Sequence, residues 1–371
     1  MGITIIRTVR TVRSNDPFRN DSMTIHRRQF LRFASAALAA PAISRGALGQ
    51  SPPVTLKLHH FLPPVANGHA KLLVPWAKKI ETDSGNRIRI DLYPSMQLGG
   101  TPPQLYDQAR DGVADIVLTL PGSTPGRFPR VEVFELPFIA DRRGITNAKA
   151  VQNFYEANLR DEFKDVHVLC VCAHDAGIIH ANKQVKTLQD MKGLKLRAPT
   201  RLAGEALKAL GANGVTMPIP LVAEALAHKV LDGCVVPWEV VPAIKVHELL
   251  KFHTDIGRSP ALYTATFVLA MNKPKYESLP AGLKKILDDN CGQHAATLAG
   301  TMWDEQAVVV QELVRRRGNT VTVLDKDEAA HWEKATQPVT EAWLKQAKEK
   351  GFNGEKLIAD AKAALAKYAN A

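Results

Sequence analysis

The sequence predicts a two-domain α/β protein with a cleft between its halves, multiple crossovers and a long domain-bridging helix. Three observations point there. Short β-rich runs alternate with helical patterns, the order of a mixed or parallel sheet with covering helices. A length of 371 residues leaves room for roughly two cores. No linker rich in Gly or Ser and no repeat of about 20–50 residues separates the halves, so the chain is expected to cross between them several times.

Residues 54–59 read as a strand and 67–82 as a helix, with Leu72, Leu73, Trp76 and Ile80 at helical spacing. Residues 87–92 alternate apolar and polar side chains, the mark of a second strand. Residues 103–111 are helical, and 114–120 form a buried strand that stops at Pro121-Gly122. A second set follows, with strands at 166–172, 193–197, 215–218 and 231–236 and helices at 201–210 and 221–228. The apolar strand 263–271 precedes a helical stretch over 281–317, which at 1.5 Å per residue reaches roughly 55 Å and can bridge two domains. The tail from 325 to 371 is amphipathic helix. Domain I is assigned to 50–174 plus 263–302, domain II to 175–262 plus 303–356, and 357–371 to a C-terminal helix.

The first 49 residues stand apart as an export leader. His26-Arg27-Arg28-Gln29-Phe30-Leu31-Arg32 is a paired-arginine stretch of the twin-arginine type, followed by an Ala-rich apolar run over 33–43. Ala47-Leu48-Gly49 supplies small residues for cleavage before Gln50. The other reading, a basic helix of a cytoplasmic protein, would put Pro41, Gly46 and Gly49 in a helix interior, where each is costly. The expected product has about 322 residues and leaves the cytoplasm folded; Met23 is a second candidate start.

The leader also explains the charge. Of the formal +11, eight arginines against two acids lie in 1–49, and the rest of the chain carries a surplus of only five. Those charges are scattered, with no stripe of interleaved Arg and aromatic residues, so nucleic acid is not an expected partner. No uncharged apolar run reaches the ~18 residues of a membrane span, so stable insertion is not expected either. Cys170, Cys172, Cys234 and Cys291 show no metal-binding spacing and read as free buried thiols.

Catalytic and metal patterns are weak. Gly122-Ser123-Thr124-Pro125-Gly126 lacks the spacing of a nucleophile elbow, and neither a Walker loop nor GxGxxG occurs. His59, His60 and His69, or His174, Asp175 and His180, can be drawn as metal clusters, but without the i, i+4 pairing that gives such a signal force. No cofactor, no metal and no enzyme activity is expected. Ligands in α/β sheets sit beyond the carboxyl ends of strands. Candidates at those ends are Phe61, Asn67, Gly122, Phe128, His174, Gly177, Arg197, Val236 and Trp238. Arg197 is the strongest, ending an apolar strand just before Ala198-Pro199. A guanidinium there can grip a carboxylate with two parallel bonds; spacing alone leaves a solvated or structural arginine equally open.

Met191-Lys192-Gly193-Leu194-Lys195-Leu196-Arg197, followed by Ala198-Pro199, resembles the signature of the solute-binding subunits of TRAP transporters, the tripartite ATP-independent periplasmic systems. The similarity runs through 54–360 and takes in Tyr93-Pro94-Ser95-Met96-Gln97-Leu98-Gly99, Asp111-Gly112-Val113-Ala114-Asp115, Glu135-Leu136-Pro137-Phe138 and Leu231-Asp232-Gly233. The resemblance implies a periplasmic-binding-protein-like fold and a hinge crossed by strands and a long helix. It also implies closure over an organic acid held by Arg197, and delivery to membrane subunits of the transporter from the periplasm.

The sequence departs from the sialate-binding branch of that family. Gly177 stands where those members carry a second arginine, and Val236 where they carry asparagine before Pro237. The replacements are apolar or aromatic: Val236, Trp238 and, across the cleft, Phe61, Leu62 and Phe128. Trp238 and Phe128 have a second reading as hinge or core packing. The expected solute is a small carboxylate with an apolar or aromatic body, with a 2-oxo or 2-hydroxy group read by His174 or Asn67. The alternatives are an exported α/β enzyme acting on such an acid, or a binding protein for a sensor or another transporter class.

Overall fold

The computed structural model describes residues 53–370; the expected leader and its cleavage point lie outside them. Eleven strands occur among the described residues. They are β1 (Val54–His60), β2 (Ile88–Tyr93), β3 (Ile116–Thr119), β4 (His167–Ala173), β5 (Ile178–Ala181), β6 (Lys195–Ala198), β7 (Asn213–Thr216), β8 (Gly233–Val236), β9 (Phe252–Asp255), β10 (Thr266–Met271) and β11 (Thr320–Val323).

They form two sheets. The first has the order β2-β1-β3-β10-β4, parallel from β2 to β3, with β10 antiparallel to both β3 and β4. The second has the order β11-β9-β5-β8-β6-β7. In it β6 runs parallel to β7 and β8, and β5 runs antiparallel to β8 and β9. Central strands β3 and β8 are buried on both faces, which is why they read as continuous apolar runs rather than alternating ones. On β1, by contrast, Leu56 and Leu58 point into the core while Thr55 and Lys57 are not buried.

The chain passes between the sheets twice as extended backbone, from β4 to β5 and from β9 to β10. The two passes run side by side: Gly177 N–H donates to Tyr263 O (3.0 Å), and Thr264 Oγ1 donates to His174 O (2.7 Å). The helix Gln293–Arg316 contacts β4, the turn Trp238–Val240 and β11, and so touches elements of both sheets. The helical stretch expected over 281–317 is broken into Ala281–Asp289 and Gln293–Arg316. The first helix stops at Asn290, and Gly292, at φ +55° and ψ −129°, takes a backbone conformation open essentially to glycine alone just before the second starts. The bridging helix is therefore 24 residues, about 36 Å long, rather than 55 Å. The tail is likewise two helices, Lys326–Glu349 and Gly354–Lys367, the second capped by the Asn353 side chain.

Strands β5, β9 and β11 and the helix Gly144–Asn158 are additions to the expected set. The strands are four residues each, too short for a period to show. The helix buries Thr146, Asn147 and Gln152 along with its apolar residues, so it carries no clean apolar stripe. Its position between Gln293–Arg316 and β4 is the reason.

Candidate functional site

Arg197 lies on β6, inside the second sheet between β7 and β8, paired with Val215 on one side and Cys234 on the other. Pro199 holds Ala198 extended, and Thr200 caps the helix Arg201–Ala209, so the strand ends abruptly, with Arg197 on the cavity wall and Ala198 packed in the core. The guanidinium is 4% exposed. Its Nε donates to Met217 O (2.7 Å) and its Nη1 to Val235 O (3.3 Å). Those bonds fix the plane of the fork and leave further N–H groups uncommitted. Among the described residues no carboxylate forms an ion pair with it. Burial pushes its pKa down, the direction expected of a cation short of counter-charge.

Around Arg197 is a cavity of about 160 Å³. Its walls include Phe61 and Leu62 from the segment after β1, Val236 from the end of β8, Val240 from the turn after it, and Tyr263 and Phe267 beside the second crossing. A cavity of about 150 Å³ with apolar walls is enough to take up a benzene ring. Tyr263 turns its hydroxyl into this environment without a hydrogen-bond partner, and burial raises its pKa. Gly177 makes that placement possible. A Cβ at position 177 would lie 1.8 Å from Tyr263 Cε1, so any other residue there would collide with the ring.

His174 lines the cavity but cannot read a solute. Its Nδ1–H donates to Asp175 O, and its Nε2 accepts from the Ala265 N–H (3.0 Å). Both ring nitrogens are engaged and the neutral tautomer is fixed; burial and Arg197 together hold its pKa down to about 4. Asn67 is not on the cavity wall. Its side-chain N–H donates across the cleft to Glu239 O (2.7 Å), a contact between the segment after β1 and the turn after β8. The expected reading of a 2-oxo or 2-hydroxy group by either residue thus finds no geometry here.

Of the other residues singled out from sequence, Arg197, Phe61 and Val236 line the cavity and Gly177 shapes it from behind Tyr263. Gly122 backs onto Thr200 and Glu135, where a Cβ would meet Thr200 Cγ2 at 2.6 Å. Phe128 is not on the wall: it stacks on Phe163 (4.8 Å) and meets Tyr106 edge-on (4.8 Å) in the core of the first sheet. Trp238 is also elsewhere, packed over His180 (5.2 Å) and His253 (5.4 Å) beside a separate cavity with Arg142, Asp175 and Asp304. His180 and His253 are joined through their Nδ1 atoms (2.7 Å) and both have lowered pKa values from burial, so they are a neutral packed pair.

Sequence reasoning missed Tyr263, Phe267 and Glu239. The strand expected over 263–271 would have hidden Tyr263 within a sheet; β10 begins only at Thr266, and Tyr263 belongs to the crossing. Glu239 is 5% exposed and lines the cavity, and burial lifts its pKa to about 7. The one available signal was its place in the turn at the carboxyl end of β8.

Taken together, the site is an apolar chamber with a cation at one wall, a buried phenol beside that cation and a buried carboxyl group. The family model for bacterial extracellular solute-binding proteins, family 7, matches residues 58–347. A TRAP solute-binding protein of Rhodoferax ferrireducens, solved with copurified benzoate, is 43% identical, with a TM-score of 0.82 and coverage of 85% of this chain and 98% of that one. A marine metagenome TRAP solute-binding protein specific for aromatic acid ligands, solved with 3-hydroxybenzoate, is 44% identical, with a TM-score of 0.83 and coverage of 86% and 99%. A TRAP solute-binding protein of Bordetella bronchiseptica, solved with both enantiomers of mandelate, is 29% identical, with a TM-score of 0.78 and coverage of 85% and 99%.

Proposed function

We propose, for a chain that belongs to the bacterial extracellular solute-binding proteins of family 7 and is thus a TRAP solute receptor, that its solute is a small aromatic monocarboxylate. The observation that carries this is Arg197: a guanidinium buried without a carboxylate of its own, in an apolar chamber of one ring's volume. A ligand carboxylate supplies the missing charge through two parallel N–H···O bonds, with the Tyr263 hydroxyl available as a further donor. The ring fills the space between Phe61, Tyr263 and Phe267. The ligands of the Rhodoferax, marine and Bordetella relatives, all aromatic acids, support the same reading.

Each sheet with its helices then acts as one lobe, hinged at the two crossings and the helix Gln293–Arg316. Closing the lobes over Arg197 without an anion costs several kcal/mol, because a charge is taken from water and given no partner. The solute carboxylate removes that penalty only in the closed form, and this differential affinity drives closure. The closed surface is what the membrane subunits read. The receptor works in the periplasm, delivered there by the twin-arginine leader, and turns nothing over. The engagement of both His174 nitrogens, which leaves no free imidazole beside the solute, supports this last point.

A thermal-shift panel tests the proposal. A ligand at about 100 times its dissociation constant adds about 2.7 kcal/mol to stability. Benzoate, 3-hydroxybenzoate and mandelate should each raise the melting temperature. Terephthalate should not, since its second carboxylate would be buried without a cation. A panel in which only polyhydroxylated sugar acids or aliphatic diacids stabilise the protein would overturn the proposal.

A further inference from the structure

Resting on the aromatic-acid reading, we infer that Glu239 accepts a hydrogen bond from a hydroxyl group on the ring, so that the preferred solutes are hydroxylated aromatic carboxylates. Glu239 lines the same cavity as Arg197 and is almost fully buried. Its Oε2 accepts no hydrogen bond. The Trp303 indole and the Gly68 N–H face the carboxyl group and ease its burial, but neither closes a bond onto Oε2. Its main chain is pinned from the other sheet's side by the Asn67 bond to Glu239 O, so the carboxyl group is held in place once the cleft is shut.

A buried oxygen short of a donor is costly, and no side chain that lines the cavity bonds Oε2. Arg197 forms no ion pair with it, and both His174 nitrogens are engaged with backbone. A ring hydroxyl brings the missing O–H into the chamber with the solute. An unsubstituted ring leaves Glu239 as it was, and a site built to meet a hydroxyl disfavours the analogue that lacks one. The acid group and the hydroxyl then divide the polar work between two points: Arg197 anchors, and Glu239 discriminates.

The test is calorimetric titration of the full mature chain with benzoate, 3-hydroxybenzoate and 4-hydroxybenzoate. The better hydroxybenzoate should bind about tenfold or more tightly than benzoate, the upper end of the net contribution of a single hydrogen bond. Glu239→Met keeps the bulk and removes the acceptor, and should bring that ratio within about twofold. Glu239→Gln keeps an acceptor oxygen and should restore most of it. The ratio is insensitive to a general loosening of the chamber, which weakens all three acids together, and the unaltered protein's own ratio stands even if a variant fails to fold. Equal binding of benzoate and both hydroxybenzoates by the unaltered chain, or an unchanged ratio in Glu239→Met, would overturn the assignment of Glu239 alone. Failure of all three acids to bind would instead overturn the aromatic-acid reading on which it rests.

Discussion

Arg197→Met separates the two duties proposed for the guanidinium, anchoring a solute and burdening the closed form. Truncating one partner of a buried, hydrogen-bonded charge pair costs about 2–5 kcal/mol. At about 1.4 kcal/mol per decade, that is a loss of affinity between about 30-fold and several thousandfold. With the residue 4% exposed there is little water to screen the pair, so the upper half of that range is expected. The same substitution removes a buried cation that has no counter-charge, at the expense of two backbone contacts, to Met217 O and Val235 O. Met217 is only half-buried, so water can replace that contact. The ligand-free melting temperature should therefore hold or rise while binding collapses. Calorimetric titration with benzoate and a melting curve on the same sample read both. A loss below about tenfold, or a marked fall in ligand-free stability, would refute the reasoning.

Gly177→Ala should displace the Tyr263 ring, whose Cε1 lies 1.8 Å from where the new Cβ would sit. Overpacking of this kind costs about 1–3 kcal/mol, and affinity should fall with stability, as melting curves and titration on the same variant would show. Phe128→Ala should lose about 3–5 kcal/mol of stability in denaturant unfolding yet retain ligand affinity, because the ring packs on Phe163 rather than on the cavity. The pH profile of stability should be nearly flat from about pH 4.5 to 6.5. Burial lowers the folded pKa values of His60 to about 3 and of His174 and His253 to about 4, from 6.5, so their contribution is present above pH 6.5 and lost as pH falls. Burial raises Glu135, Glu162 and Glu239 to about 7, from 4.5, so theirs is present below pH 4.5 and lost as pH rises. The opposing slopes offset one another across the window, and Glu135→Gln should tilt the profile so that the melting temperature climbs with pH.

The place of Arg197 was legible because its signal is local. A strand that ends at Arg197 before Ala198-Pro199 puts the side chain at a strand end beside the cavity, and the resemblance around it implies the carboxylate contact proposed above. The chamber's aromatic walls were less legible because they are set by tertiary contacts. Phe128 and Phe61 both lie in Gly- and Pro-rich loops beyond strand ends, and nothing in sequence says that one meets Phe163 and the other the cavity. Tyr263 was hidden by its neighbours: the apolar run 263–271 reads as one strand, but its first residues pair with the β4–β5 crossing instead of continuing β10. The importance of Gly177 was visible only as the absence of an arginine. That the vacated space belongs to the Tyr263 ring is a fact of packing. The helix break at Gly292 escaped notice because Asn290, Cys291 and Gly292 interrupt an otherwise continuous helical pattern by a single turn.

A crystal structure of residues 50–371 with benzoate tests the role proposed for Arg197 most directly. Both carboxylate oxygens should lie within hydrogen-bond distance of the Arg197 guanidinium, with the ring held between Phe61, Tyr263 and Phe267. A benzoate whose carboxylate faces solvent or another cation, with Arg197 still bonded only to Met217 and Val235, would contradict the account.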